Sequence, residues 1–170
     1  MDIKELLDED AFDPEKLFNE KEYSTLLINR AGFSKKENAG ADLIEALLEK
    51  DLTRAESEEL FEKLKTTNSG KLLVDAIKKA GRVSEKIKLV AACWECGLDF
   101  SPDFLVFVEL SCHDDFQLAL EALSVVESSE GVISEGTLET AMEIAEVAKN
   151  NKNPQLVSDL ISNLKSRMNV

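Results

Sequence analysis

The sequence has few of the residues that interrupt helices or build reactive sites. It contains 7 Gly, 3 Pro, 3 Cys and a single His in 170 residues. Leu, Ala, Glu and Lys dominate instead, and alternating β-branched runs are missing, which favours helix over strand. The motifs of phosphate-binding loops, zinc proteases, serine hydrolases and EF-hands are also missing. We therefore expect an all-α protein that is not an enzyme and holds no cofactor.

Long hydrophobic runs are absent as well. No apolar run approaches the ~18–20 residues that a membrane-spanning helix needs. The N-terminal sequence MDIKELLDED is acidic and lacks the apolar stretch of a signal peptide. An odd number of cysteines fits a reducing compartment. We expect a cytoplasmic protein that does not bind membranes.

Positive charge is missing from one long part of the chain. The formal net charge is −14, and residues 89–148 carry 13 acidic residues without one Lys or Arg. A negative protein repels phosphate backbones and anionic membranes. The basic stretch 63–88 lacks interleaved aromatics, so nucleic acid is not an expected partner. The acidic zone 89–148 is either a solvated surface or a docking face for a basic protein.

Start and stop signals divide the chain into helices of ordinary length. Residues Thr53–Glu56 (TRAE) form a predicted capping box. Asp13, Ser101 and Asn153 each precede a proline, the pattern of an N-cap followed by the first helical residue. The predicted helices span residues 2–9, 14–31, 35–50, 54–67, 70–80, 84–97, 102–112, 114–128, 135–150 and 154–168.

The connections between these helices are short, which predicts antiparallel neighbours. Residues 102–112 are apolar on nearly every side, so this helix should be central and covered by its neighbours. No long linker interrupts the chain. We expect one all-helical domain over residues 1–170, with N-terminal helices in 1–69 and repeat-like helical pairs in 70–170.

Three segments share an apolar pattern that suggests an internal repeat. EKIKLVAACWECG (85–97) aligns with DDFQLALEALSVV (114–126) at an offset of 29, and PQLVSDLISNL (154–164) continues the pattern. The middle segment resembles the second helix of a HEAT or armadillo repeat, although those units usually run to ~40–47 residues. The resemblance implies antiparallel hairpins stacked as a short α-solenoid, whose usual role is to bind other proteins on an extended face. It implies no catalytic residue.

All three cysteines and the histidine fall within 93–113, which reads CWECGLDFSPDFLVFVELSCH. Cys93, Cys96, Cys112 and His113 have nearly the spacing of a zinc finger, so a zinc-binding protein or helical enzyme is the alternative function. On the predicted helices, however, Cys112 is offset by roughly 8–12 Å from the other thiols, whereas Zn–S bonds are about 2.3 Å long. The CxxC pair also lies at a helix C-terminus, where the dipole opposes a thiolate. We therefore expect the cysteines and Trp94 to be packing residues and His113 to lie in a turn.

These observations favour a non-enzymatic interaction module that binds a basic protein partner on an acidic helical-repeat face. The candidate contacts are acidic residues that their helices should expose. They are Glu109, Glu121, Glu135, Glu139, Glu143 and Glu146.

Overall fold

The computed structural model describes residues 40–48 and 52–169, and these residues form eight α-helices and no strand. Residues 40–48 belong to α1. The helices that follow are α2 (Arg54–Thr66), α3 (Gly70–Lys79), α4 (Val83–Glu95), α5 (Phe104–Ser111), α6 (Phe116–Ser128), α7 (Glu135–Val147) and α8 (Pro154–Met168). The predicted all-α class is therefore confirmed for the described residues. The predicted helices 2–9 and 14–31 and the cap at Asp13 lie outside them.

Local capping residues account for where several helices begin. The hydroxyl of Thr53 accepts from the backbone N–H of Glu56, and the Glu56 carboxylate accepts from the Thr53 backbone N–H at 2.9 Å. This is the capping box that the sequence predicts. Asp115 caps α6 by accepting from the backbone N–H of Leu118 at 3.0 Å. These bonds satisfy N–H groups that the first helical turn leaves without a partner.

Two of the predicted N-caps differ from the structure. Ser101 starts a 3₁₀ turn, Ser101–Asp103, and its hydroxyl donates to Asp99 at 2.6 Å instead of capping α5. Asn153 does precede α8, but its side chain makes no cap hydrogen bond. Its amide donates to main-chain carbonyls of the α5–α6 connection, which are acceptors that only the tertiary fold brings within reach.

Consecutive helices form three hairpins, α3–α4, α5–α6 and α7–α8, that pack on one another in chain order. In the packing between hairpins, α4 contacts α6, α6 contacts α8, and α5 contacts α7. Helix α5 buries Phe104, Phe107, Val108 and Ser111 and lies against α6, α7 and α8, as its apolar sequence predicts. None of the described helices has the length and hydropathy needed to cross a membrane. The described residues belong to one compact unit, Ala39–Val170, and the predicted division of 1–170 at residues 69/70 stays a prediction.

Candidate partner-binding surface

The cysteines of α4 are packing residues in the structure. Cys93 and Cys96 are buried in the hydrophobic core, and all three cysteines are free thiols. The Cys93 thiol donates to the Leu89 carbonyl at 3.2 Å, and the Cys96 thiol donates to the Cys93 carbonyl at 3.3 Å. Both sulfur atoms therefore bond to the backbone of their own helix, and Cys112 lies half-buried at the end of α5.

The alternative metal site does not assemble. Cys93, Cys96, Cys112 and His113 all belong to the described residues, among which no group of three or more His, Cys, Asp or Glu side chains is placed to hold a metal ion. Helix α5 separates the CxxC pair from Cys112, and its eight residues carry the chain about 12 Å along the axis.

Burial also makes these thiols poor nucleophiles. It raises the pKa of Cys93 well above the usual value, and the neighbouring Cys96 adds to that shift. Burial is also the main cause that raises the pKa of Cys96 and of Cys112. Because the thiolate is both the nucleophile and the metal ligand, the protonated thiols of this protein suit packing.

His113 holds a turn together. Its Nδ1 accepts from the backbone N–H of Asp115 at 2.9 Å, and its carbonyl accepts from the amide of Asn153 at 2.9 Å. Beside it, the Asn151 amide donates to the carbonyl of Cys112 at 3.0 Å. The imidazole therefore holds its own turn, at the predicted position, and the amides of Asn151 and Asn153 fix the α5–α6 connection against the α7–α8 connection.

Four of the candidate glutamates line one side of α7, and we call them the α7 acidic row: Glu135, Glu139, Glu143 and Glu146. All four are exposed, and their spacing of three or four residues places them along about 16 Å of one helix face. Glu146 pairs with Lys149. The other three have no hydrogen-bond or ion-pair partner among the described residues. A continuous negative stripe therefore faces solvent.

The other two candidates lie elsewhere. Glu109 is exposed on α5, which packs beside α7. Glu121 is only half-exposed, because its carboxylate accepts a hydrogen bond from the indole Nε1 of Trp94 at 2.8 Å. Glu121 is therefore less exposed than its helix position predicts, and its role as a partner contact stays a prediction. The prediction that Trp94 is a packing residue is wrong, since 40% of its surface is exposed.

A second surface, which sequence reasoning missed, lies where α4 and α6 meet. We call it the α4–α6 surface and define it by Trp94, Glu95, Phe116, Leu120 and Glu121. Phe116 is 58% exposed and Leu120 is 41% exposed, one helical turn apart on α6. The sequence did hold a signal for it: α6 carries more apolar residues than one buried face can use. The residues that α6 buries are Leu118, Ala119, Ala122, Leu123, Val125 and Val126.

Glu95 and Glu121 place two carboxylates on this surface. Burial raises the pKa of Glu95, and the negative charge of Glu121 raises it further. Lys65 approaches the same end of α4, near Gly97, but forms no ion pair with Glu95, although both residues lie in the described part of the chain. The charge of Glu121 therefore acts on Glu95, and Lys65 does not neutralise it through an ion pair.

The chain has no significant match among protein-family models, curated proteins or solved structures. The resemblance to HEAT and armadillo repeats stays a prediction, and so does the prediction that the protein is not an enzyme.

Proposed function

We propose that the protein is a non-enzymatic interaction module that binds a basic partner protein on an acidic face of stacked helical hairpins. The observation that carries the proposal is the α7 acidic row. Like charges four residues apart destabilise a helix by about 0.2–0.5 kcal/mol per pair. The row therefore has an unfavourable energy in the free protein, which bound Lys or Arg side chains would relieve.

The packing order of the hairpins supports a short α-solenoid as the finer description of the fold. In this description α4, α6 and α8 line one face, and α3, α5 and α7 line the other. Such folds present extended surfaces on which partner segments dock. The α7 acidic row belongs to the second of these faces.

Binding by this row should depend on salt. Complementary charge raises the association rate, and added salt screens exposed charges. Three free thiols fit the reducing cytoplasm as the place where the two proteins meet.

The test is affinity capture of cellular proteins by three forms of the chain at low and high salt, read by mass spectrometry. The forms are the wild type, an α7 variant and an α2 control. The α7 variant carries Glu135→Gln, Glu139→Gln and Glu143→Gln. The control carries Glu58→Gln, Glu59→Gln and Glu62→Gln, which change the net charge equally at exposed positions of α2.

We expect a basic partner to be captured by the wild type and the α2 control, to be released by salt, and to be lost from the α7 variant. If the α7 variant captured the same proteins as the wild type, the acidic row would not be the binding face. If capture were equally strong at high salt, the electrostatic basis of the proposal would be wrong.

A further inference from the structure

Three exposed apolar side chains lie on the two helices that define the α4–α6 surface: Trp94 on α4, and Phe116 and Leu120 on α6. Phe116 and Leu120 are neighbours on α6, and the hydrogen bond from Trp94 to Glu121 holds the indole against the same helix. Exposed apolar residues are common singly, but exposed Trp and Phe side chains on two helices that pack together are typical of an interaction site. Phe116 and Leu120 are not part of the face that α6 buries, and 40% of the Trp94 surface is exposed on α4.

Charge is distributed unevenly over this surface. Glu95 and Glu121 lie at the end nearest the C-terminus of α4. A bound segment therefore meets negative charge at one end of this surface, which fixes the direction in which a charged segment can lie.

We propose that the α4–α6 surface binds a segment of the partner protein in which a large apolar side chain lies close to a Lys or Arg. The apolar side chain packs on Trp94, Phe116 and Leu120. The cation reaches the carboxylates of Glu95 and Glu121, which repel each other in the free protein. This inference rests on the proposed function and adds a second contact surface with a defined chemistry.

Trp94 supplies a direct probe, because it is the only Trp in the chain. Covering its indole changes its fluorescence emission. The probes are short synthetic peptides without Trp or Tyr: one with Leu and Lys side by side, one with the Lys residues replaced by Glu, and one with the Leu residues replaced by Ser. We expect a saturable blue shift with the first peptide and none with the other two.

Two double variants test the contact: one replaces exposed apolar residues on the α4–α6 surface, and its control replaces exposed apolar residues elsewhere. Phe116→Ser with Leu120→Ser should weaken binding of the Leu–Lys peptide about tenfold or more, since truncating two anchoring side chains removes most of the contact. Val132→Ser with Val147→Ser is the control, because these valines are 99% and 88% exposed outside the surface. Circular dichroism of both variants checks that the helices persist.

Three results would overturn the inference: an equal shift with the Glu peptide, equal binding by both double variants, or no shift with any peptide. A shift that depends on protein concentration alone would also overturn it, by showing that a second copy of this chain covers the surface. The α7 variant should bind the Leu–Lys peptide normally. If cellular capture depends on the α7 acidic row while the α4–α6 variants change nothing, the proposed function stands and this inference fails.

Discussion

The guanidinium of Arg167 lies over the ring of Phe104, with its carbon 5.5 Å from the ring centroid. The same group donates to the carbonyl of Val126 at 2.8 Å and to that of Ser129 at 2.9 Å. These carbonyls lie at the end of α6, where helices leave acceptors without partners and carry partial negative charge. One side chain of α8 thus closes the end of α6 and covers the start of α5.

Replacing Arg167 with Gln should destabilise the fold. We expect the free energy of unfolding to fall by about 2 kcal/mol, because hydrogen bonds to a charged group contribute about 1.5–3 kcal/mol and the stacking on Phe104 is lost as well. Urea unfolding followed by circular dichroism measures the change. Lys165→Gln, at an exposed position of the same helix, should change it by less than about 0.5 kcal/mol. Equal losses in the two variants would show that only net charge matters.

Asn153 precedes α8 in the position of an N-cap, but we expect it to stabilise the fold through a different set of hydrogen bonds. Its amide nitrogen donates to the carbonyls of His113 and Asp114 at 2.9 and 3.2 Å. Serine is as good a cap as asparagine but cannot supply both of these donors. We expect Asn153→Ser to lower the free energy of unfolding by about 1–2 kcal/mol in urea titrations.

The control for Asn153 is a residue that does cap its helix. Asp115→Ser keeps a side-chain acceptor for the backbone N–H of Leu118, so it should change stability by only a few tenths of a kcal/mol. If Asn153→Ser were as mild as Asp115→Ser, the links between the two helix connections would contribute nothing to stability.

The helices could be predicted because their signals are local. The capping box at Thr53 joins residues three positions apart, and the apolar pattern of α5 indicates its burial directly. The side-chain contacts that build the candidate surfaces are not local. Trp94 and Glu121 are 27 residues apart, and Asn153 and His113 are 40 residues apart. No pattern within one helix reveals such a pair.

The same reason explains which candidate glutamates are as exposed as their helix positions predict. The α7 acidic row follows from helical spacing alone, since the buried residues Leu138, Ala141 and Ala145 fix the opposite face. Glu121 lies on a helix whose neighbour is α4, and its exposure depends on where the Trp94 side chain lies. The sequence aligned Trp94 with the buried Leu123, whereas the structure pairs it with Glu121 at the surface.

The three thiols should differ in reactivity in the order of their burial. We expect a maleimide to modify Cys112 first, then Cys96 and last Cys93, because burial raises each thiol pKa and shields each sulfur atom. Mass spectrometry of peptides from protein quenched at successive times gives the three rates near neutral pH. In denaturant the rates should become similar. Rapid modification of Cys93 in the folded protein would contradict its packing role and revive the metal or enzyme alternative.

Glu95 makes stability depend on pH. Burial and then the charge of Glu121 raise its pKa in the folded protein above the unfolded value of about 4.3. A raised pKa means that the protonated form stabilises the fold. That contribution is complete below the unfolded pKa and is lost as the pH rises through the folded pKa. Glu95→Gln, which is neutral at every pH, should therefore have a higher free energy of unfolding than the wild type at pH 7.

The pH dependence of this gain in stability distinguishes an electrostatic cause from a packing cause. Urea titrations of Glu95→Gln and wild type should converge below about pH 4, where the wild-type carboxyl is protonated in both states. Glu85→Gln is the opposite control, because the hydrogen bond from Arg82 lowers the pKa of Glu85. That variant should be less stable than the wild type at pH 7, and this difference should also shrink as the pH falls. If the higher stability of Glu95→Gln persisted at low pH, its cause would be packing. Repulsion between Glu95 and Glu121 would then not favour binding of a cation at the α4–α6 surface.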